Sequence, residues 1–431
     1  MEEKKVHWLQ RSPGLKFALL AVLSLFLLIP VMFVSEIVRE RMRNHEEVQM
    51  EIGSKWGNPQ RLVGPRLYLP YRILKTGLDG KKFYQKGELW VLPEHLSLNG
   101  DLQPTIKQRG IYKTVLYTLE TEIQAKFNPS DWLSTQTENT EWLWNEAFVS
   151  LEVSDQKGIA REVVFDIDGQ KLKANPGSGH SELPGSGMHA ELNKPFEKAF
   201  VVKTKLSLKG SGQLHFSPMG KTTEVELAST WKDPKFLGAF LPENEVTEQG
   251  FTAKWTVLDF NRNFPQVWKN QNFMVEEADF GLQLLDVYGQ YRLAERSLKY
   301  ALLVIALTFA AFFFYEVLQK RHIHPIQYSL VGFALLVFYL LLISLSEHMR
   351  FAWAYWTGAV AVVLLVSAYF AAISGNLKQT FGMGSLFATL YGFLYVVLTH
   401  DDYALLMGSL GLFVAISLIM WFTRKVNWYE I

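Results

Sequence analysis

Cysteine is absent from the chain, which excludes disulfides, thiol catalysis, cysteine-ligated zinc and iron–sulfur ligation. A surplus of either charge is also missing. The 43 Lys and Arg residues face 42 Asp and Glu, a net charge of +1, so the basic face that a nucleic-acid partner requires is not supplied. Charge is scarce in one further place, the last third of the chain. The overall figures of 49% hydrophobic and 20% charged residues average two populations. Residues 37–298 have ordinary globular polarity, whereas residues 299–423 are nearly all apolar. The polar stretch is long enough to bury one core or two smaller ones. With no cysteine, it must be held by packing and sheet hydrogen bonds alone.

The apolar third is organised around Tyr300–Ser346, two greasy runs separated by a turn containing Glu316, Lys320, Arg321, His322, His324 and Pro325. Each run approaches the roughly 20 residues a helix needs to cross a hydrocarbon core. The face carrying Phe309, Phe312, Phe313 and Phe314 has no polar counterpart, which points to lipid rather than water. The runs are Tyr300–Tyr315, Ile326–Ser346, Phe351–Gly375, Phe381–Thr399 and Tyr403–Thr423. A sixth, Phe17–Ser35, follows a basic N-terminal stretch. It leaves through Ile29-Pro30-Val31-Met32-Phe33-Val34, too bulky for a signal-peptide cleavage site, so an uncleaved anchor is expected. The short loops on one side hold Lys4, Lys5, Arg11, Lys16, Lys320, Arg321, Lys378, Arg424 and Lys425, and those on the other hold only Arg350. That bias predicts both termini in the cytoplasm and residues 37–298 in the periplasm. Trp353, Tyr355 and Trp356 are expected in an outer aromatic belt, and Trp421, Trp428 and Tyr429 in an inner one. Ala404 and Gly408, four apart, suit close helix contact.

The expected organisation is a cytoplasmic N-terminus (1–16), a transmembrane helix (17–35), a charged stalk helix (36–60), a β-rich periplasmic domain of one or two modules (61–298), a five-helix membrane domain (299–423) and a cytoplasmic tail (424–431). From Arg61 onward the period of apolar residues becomes two. Val115, Tyr117, Leu119, Ile123, Ala125 and Phe127 alternate with polar residues, Leu116 excepted, as in a half-buried strand. Phe148–Val153, Val163–Ile167, Phe251–Val257 and Phe280–Leu284 are further strands, and Asp168-Gly169 marks a tight turn. Val202–Leu208, Leu214–Phe216 and Val225–Leu227 read as successive antiparallel strands. A short helix is expected within Asp131–Ala147. The fold class is therefore an α+β membrane protein with six transmembrane helices, one N-terminal and five C-terminal, and a large, sandwich-like β-rich extracytoplasmic domain.

Motifs with chemistry are few. His45-Glu46-Glu47-Val48-Gln49 has Gln49 where a zinc-protease helix needs its second histidine, so a solvated helix face is expected. The loop Asn175–His189 contains two Gly-Ser-Gly sequences, but neither stands between a strand and a helix as a serine-hydrolase elbow must. His180 and His189 therefore read as residues of a flexible turn. Glu316, His322 and His324 read as a solvated turn. The topology places Glu347, His348, His400, Asp401 and Asp402 on one membrane face. They are candidates for a proton or metal site, although a helix-end or docking role fits their edge position better. No catalytic residue, cofactor or metal is assigned.

The chain resembles the CreD (Cet) family of bacterial inner-membrane proteins over nearly its whole length. The resemblance rests on Leu62-Val63-Gly64-Pro65, Gly110-Ile111-Tyr112, Phe236-Leu237-Gly238-Ala239-Phe240-Leu241-Pro242 and Gly250-Phe251. In the apolar third it rests on Ala306-Leu307-Thr308-Phe309, His324-Pro325-Ile326-Gln327-Tyr328, Leu345-Ser346-Glu347-His348, Thr423-Arg424 and Trp428-Tyr429. Ala239 departs from the acidic residue of some relatives, and a tail ending at Ile431 is short for a cytoplasmic partner. The resemblance implies an envelope-integrity protein, often controlled by a two-component system and associated with colicin tolerance and altered β-lactam response. It implies no settled biochemical activity. The expected function is non-enzymatic support of the envelope, the β-rich domain contacting an envelope protein or cell-wall component and the helices contacting the lipid bilayer. The alternatives are a transporter or channel component using the Glu347 cluster, and a membrane-bound hydrolase acting on lipid or cell wall.

Overall fold

The computed structural model describes residues 13–180, 186–271, 273–284, 289–319, 321–400 and 403–424. The chain forms two compact units, one made by residues up to His45 and from Tyr288 onward, the other by Glu46–Val287. The first division falls inside a helix. Helix α1 (Pro13–Phe26) and helix α2 (Leu28–Trp56) are separated only by Leu27. Pro30 has no amide hydrogen, and its ring crowds the carbonyl four residues back, that of Phe26, so the interruption falls there. The anchor and the stalk, read from the sequence as 17–35 and 36–60, are thus nearly one rod. It ends at Trp56, and the first strand begins at Gln60.

In the β-rich unit the described residues form sheets of nine, eight and three strands. The eight-stranded sheet is built on the long hairpin His95–Arg109 and Tyr112–Phe127, turned by Gly110 at φ 60°. The alternation read in 115–127 is the burial observed, with Glu122 and Gln124 exposed between buried Thr121, Ile123 and Ala125. At Thr114–Tyr117 every residue is buried, so both sheet faces are covered there and Leu116 breaks no rule. Asp168 and Gly169 both have positive φ, 49° and 85°, and turn the hairpin between Val164–Ile167 and Gln170–Lys173.

The three stretches expected to pair in succession do not. Phe200–Ser211 pairs with Tyr112–Phe127 in the eight-stranded sheet. After Gly212, at φ 66°, Gln213–Phe216 joins the nine-stranded sheet parallel to Gln60–Tyr68. Thr222–Ser229 then returns to the first sheet, parallel to His95–Arg109. Period two tells which face is buried, not which strand lies alongside. Leu62, Val149, Leu214 and Phe280 from one sheet join Leu98, Leu119, Phe165 and Leu206 from the other in one hydrophobic cluster, the layered arrangement of two sheets around a shared core. Within 131–147 the helical content is helix α3 (Pro129–Leu133), capped by Asn128, and a single tight turn at Trp144–Glu146. The 175–189 segment is not simply loop: Asn175–Pro176 pairs with Gly187–Glu191, and residues 181–185 lie outside the described residues.

The membrane unit continues with helix α4 (Gly289–Lys299), α5 (Ala301–Gln319), α6 (Pro325–Ser346), α7 (Phe351–Ser374), α8 (Leu377–Thr399) and α9 (Ala404–Thr423). The rod and α5–α9 are six helices long and apolar enough to cross a membrane. Helix α4 corrects the sequence reading, which gave these residues to the β-rich domain. Tyr291, Ala294 and Leu298 are buried at helical spacing, and α4 packs against α5, α6 and α8. Leu27, at the break in the rod, fits where α6 has only Gly332; a Cβ there would overlap it. The start of α6 is over-determined. His324 Nδ1 accepts the Ile326 N–H at 3.3 Å, Gln327 Oε1 accepts the His324 N–H at 2.9 Å, and Pro325 sits in the first turn. Helix α7 ends on Gly375 at φ 61°. Tyr355, expected in an aromatic belt, is fully buried between α7 and α8, its hydroxyl donating to the Tyr391 carbonyl at 2.6 Å. Trp353 and Trp421 are exposed, as a belt requires.

Candidate functional site

Each described residue of the acid–histidine group at one end of the bundle has a partner outside the group. Glu347 caps α6 and lies 3.3 Å from the Arg41 guanidinium of α2. The exposed His348 ring bonds back to the Ser344 carbonyl at 3.1 Å. His400, at the end of α8, bonds back to Val396 at 3.0 Å and contacts Thr399. Each ring nitrogen therefore finishes its own helix, where carbonyls lack intrahelical partners. Asp401 and Asp402 lie outside the described residues. Among the described residues no group of three potential metal ligands is found.

The opposite end of the bundle holds a site that sequence reasoning placed in a solvated turn. Glu316 is buried, with one carboxylate oxygen paired to Lys16 of α1 and the other accepting the Tyr328 hydroxyl at 3.0 Å. Lys16 also donates to the Ile323 carbonyl at 2.7 Å and lies over the Tyr328 ring. His322 remains exposed, 3.8 Å from the same carboxylate. The stretch from His324 to Tyr328 thus both caps α6 and supplies the tyrosine that holds Glu316. A buried charge near lipid persists only when paired and hydrogen-bonded, and this one is both. The signal was available, since Lys16 is the last charge before the first apolar run and Glu316 the acid closest to the second.

Apart from Arg262, which is buried on the Phe264 and Pro265 carbonyls and Gln266, the β-rich unit encloses charge at two places among the described residues. The first follows an irregularity in Gln60–Tyr68, where the register shifts between Val63 and Arg66. Gly64, at φ 108°, comes so close to Ser150 that a Cβ would lie 2.8 Å from its carbonyl oxygen. Arg66 then turns inward to pair with Glu152 and to lie 4.6 Å above the Trp90 ring. Burial lowers the Arg66 pKa despite the opposing carboxylate. Tyr68, Trp90, Phe148 and His180 pack edge and face around this point. Beside them lies a polar pocket of about 400 Å³, bordered by Tyr68, Lys86, Glu88, Glu146, His180 and Asn270. Its two carboxylates are occupied: Glu88 meets His180 Nε2 at 2.9 Å, and Glu146 meets Lys86 at 3.2 Å. His189, from the same segment, bonds Gly177 O at 3.0 Å, so the two histidines serve separate contacts rather than one metal.

The second place joins the sheet edge to a short loop. Asp279 is bound by Arg61 at 2.5 Å and by the Ser217 hydroxyl at 2.6 Å. Burial raises the Asp279 pKa against these partners. It lowers that of the neighbouring His215, against the pull of Asp279. Next to it, Gly238 at φ 95° lets the strand Lys235–Gly238 run close to Asp279 and Phe280, and Ala239 N–H bonds the Asp279 carbonyl at 2.8 Å. The remainder of that stretch reaches the surface, where Leu241 is exposed.

Comparison with known proteins finds a family match over nearly the whole chain. A family profile described as inner membrane protein CreD matches residues 12–429. The inner membrane protein CreD of Escherichia coli (strain K12) is 32% identical over 413 residues, covering 94% of this chain and 91% of the relative. Among solved structures, an M1 zinc metallopeptidase from Deinococcus radiodurans aligns at 10% identity over 38% of each chain with a TM-score of 0.19, too slight a likeness to bear on fold or chemistry.

Proposed function

The chain belongs to the CreD family of multi-pass inner membrane proteins, and on that premise we propose that it supports cell-envelope integrity without catalysing a reaction. In this reading both termini are cytoplasmic, and the β-rich unit stands in the periplasm, where it contacts an envelope protein or a cell-wall component. The observation that carries the reading is the placement of one large β-rich unit between the first and second membrane-crossing helices, with basic loop residues concentrated on the other side. The state of the polar groups agrees. Glu88, Glu146, Asp279 and Glu316 are each engaged by an imidazole, a cation or a hydroxyl, which suits a binding surface and leaves none of them poised as a free acid or nucleophile. Glu347, one of the residues behind the transport reading, is likewise engaged, by Arg41.

A photo-reactive residue at the exposed positions Leu241 or Phe260, introduced in intact cells, tests this. A reproducible crosslinked envelope component is expected. A surface that captures nothing under several envelope stresses, or a reporter inserted at the Asp79-Gly80 turn that proves cytosolic, overturns it.

A further inference from the structure

Helix α9 is the least enclosed element of the membrane unit, with no fully buried residue. It leans on α8 where Gly411 leaves room for the Phe393 ring; a Cβ at 411 would overlap that ring. Gly408, the residue singled out from the sequence, has open space around it instead. On the side facing α5 the contact is incomplete, and a cavity of about 620 Å³ separates α5, α8 and α9. It extends from Leu303 to Leu318 along α5, about 22 Å at the rise of a helix. That exceeds the depth of one hydrocarbon leaflet, about 15 Å. Only two lining side chains carry hydroxyls, and both are satisfied elsewhere. Thr389 donates to Ser385 O at 2.9 Å and Tyr315 to Gln379 at 3.0 Å. Walls of this kind hold no water, and a space open to the bilayer is filled by hydrocarbon.

The two ends of the cavity differ. At the end marked by Tyr315, Leu318 and Phe422, Tyr315 reaches Gln379, which donates to Gln319 at 3.1 Å. Exposed Lys378 precedes Gln379, and exposed Arg424 follows α9, its guanidinium 3.7 Å from the Trp421 ring. Helices α8 and α9 contain no Asp or Glu, and among the described residues no carboxylate pairs with Lys378 or Arg424. Among the described residues, the buried acid at this end, Glu316, is taken by Lys16 and Tyr328. The trough thus ends at Tyr315 and its bonded amides, with Lys378 next to Gln379 and Arg424 two residues beyond Phe422 along the chain.

We propose that the groove between α5, α8 and α9 binds an anionic phospholipid, one acyl tail lying in the groove and the phosphate held at Lys378 and Arg424. The tail supplies the hydrocarbon that the walls lack, and the headgroup supplies the negative charge that the mouth lacks. Basic pockets between membrane helices select anionic headgroups in this way, at about fivefold per Lys or Arg.

The test uses the full chain in nanodiscs of phosphatidylcholine, titrated with phosphatidylglycerol and followed by native mass spectrometry of retained lipid. The parent is expected to retain phosphatidylglycerol at least tenfold over phosphatidylcholine. Replacing both cations, Lys378→Gln with Arg424→Gln, should reduce that preference to near unity without moving the thermal midpoint. Filling the groove with Ala310→Trp or Ala415→Trp should abolish retention of either lipid. Equal retention of the two lipids by the parent overturns the proposal, as does a preference that survives loss of both cations. A parent that is dimeric, and becomes monomeric when the groove is filled, also overturns it, because a second copy would then be the occupant. Should the tryptophan variants fail to fold, the surface charge variant still decides.

Discussion

The two units bury charge by different rules. In the β-rich unit Arg66 enters the sheet beside Glu152 and over Trp90, and Arg61 meets Asp279 and Ser217. Both pairs are partly open to water, with Glu152 20% and Arg61 24% exposed. The membrane unit keeps its interior nearly free of charge and places its buried pair, Lys16–Glu316, at an end. Deeper in, its polar atoms are hydroxyls, and those of Thr308, Tyr339 and Tyr391 have no partner among the described residues. The contrast follows from the solvent. Water outside a soluble domain competes for every ion and lowers the cost of an imperfect pair, whereas lipid offers no alternative partner. A pair near lipid is therefore expected to be the less forgiving of the two.

The largest test removes one member of that pair. Glu316→Leu leaves Lys16 buried without its carboxylate and Tyr328 without its acceptor, and is expected to cost about 4–5 kcal/mol. The double variant Lys16→Met with Glu316→Leu should regain most of the loss, because two apolar side chains suit this environment. Denaturant unfolding of the purified chain in detergent measures both. A double variant as unstable as the single one would mean that the pair is not what holds α1 to α5. The matching change in the β-rich unit, Arg66→Met, strips Glu152 and uncovers Trp90. With Glu152 part-exposed, the expected loss is smaller, about 3 kcal/mol. If the order of the two losses is reversed, the contrast between water and lipid is wrong as drawn.

The same contrast explains what the sequence could reveal. A span in lipid writes its length as an uninterrupted apolar run, so the bounds of α5, α6 and α7 were readable within a few residues. A half-buried strand writes its face as an alternation, so Tyr112–Phe127 was readable too. Partnership leaves no such mark. The parallel pairing of Gln60–Tyr68 with Gln213–Phe216 joins segments about 150 residues apart, and the Lys16–Glu316 pair spans 300 positions. Glu316 looked like a turn residue because only its chain neighbours were visible. Helix α4 was missed although Tyr291, Ala294 and Leu298 carried the helical spacing, since the β-rich domain was drawn up to the edge of the apolar runs. Of the Glu347 cluster, the described members each have a partner of their own, Glu347 on Arg41 and the two histidines on their own helices, contacts that apolar runs and loop charges do not announce.

A pH titration sharpens the comparison at His215, a half-buried histidine beside Asp279 and Arg61 in the β-rich unit. Burial lowers the His215 pKa below 6.5, Asp279 opposing and Arg61 assisting. As the pH falls through 6.5, the unfolded chain takes up a proton that the folded chain resists, so this part of the stability is present above 6.5 and lost as pH falls through the folded pKa. Asp279, its pKa raised by burial, acts in the other direction. The urea midpoint of the β-rich unit, followed by tryptophan fluorescence, should therefore decline from pH 7 to 5, and His215→Phe should flatten that decline. An unchanged slope in the variant would place the titrating group elsewhere.

The smallest effect is expected at Glu347, and its smallness is informative. Its partner Arg41 is partly exposed, so their attraction is screened and worth about 0–1 kcal/mol. Glu347→Gln keeps the size of the side chain and an oxygen acceptor for Arg41 while removing the charge. It should shift the unfolding midpoint by no more than that amount, by less in high salt, and to the same extent with or without a chelator. A proton or metal site at this edge would behave differently. The loss would then depend on pH or on added divalent metal, and His400→Ala would reproduce it, because both residues would serve one ion. With the His400 ring bonded to its own helix at Val396, the two substitutions are instead expected to act independently, their effects adding within about 0.5 kcal/mol.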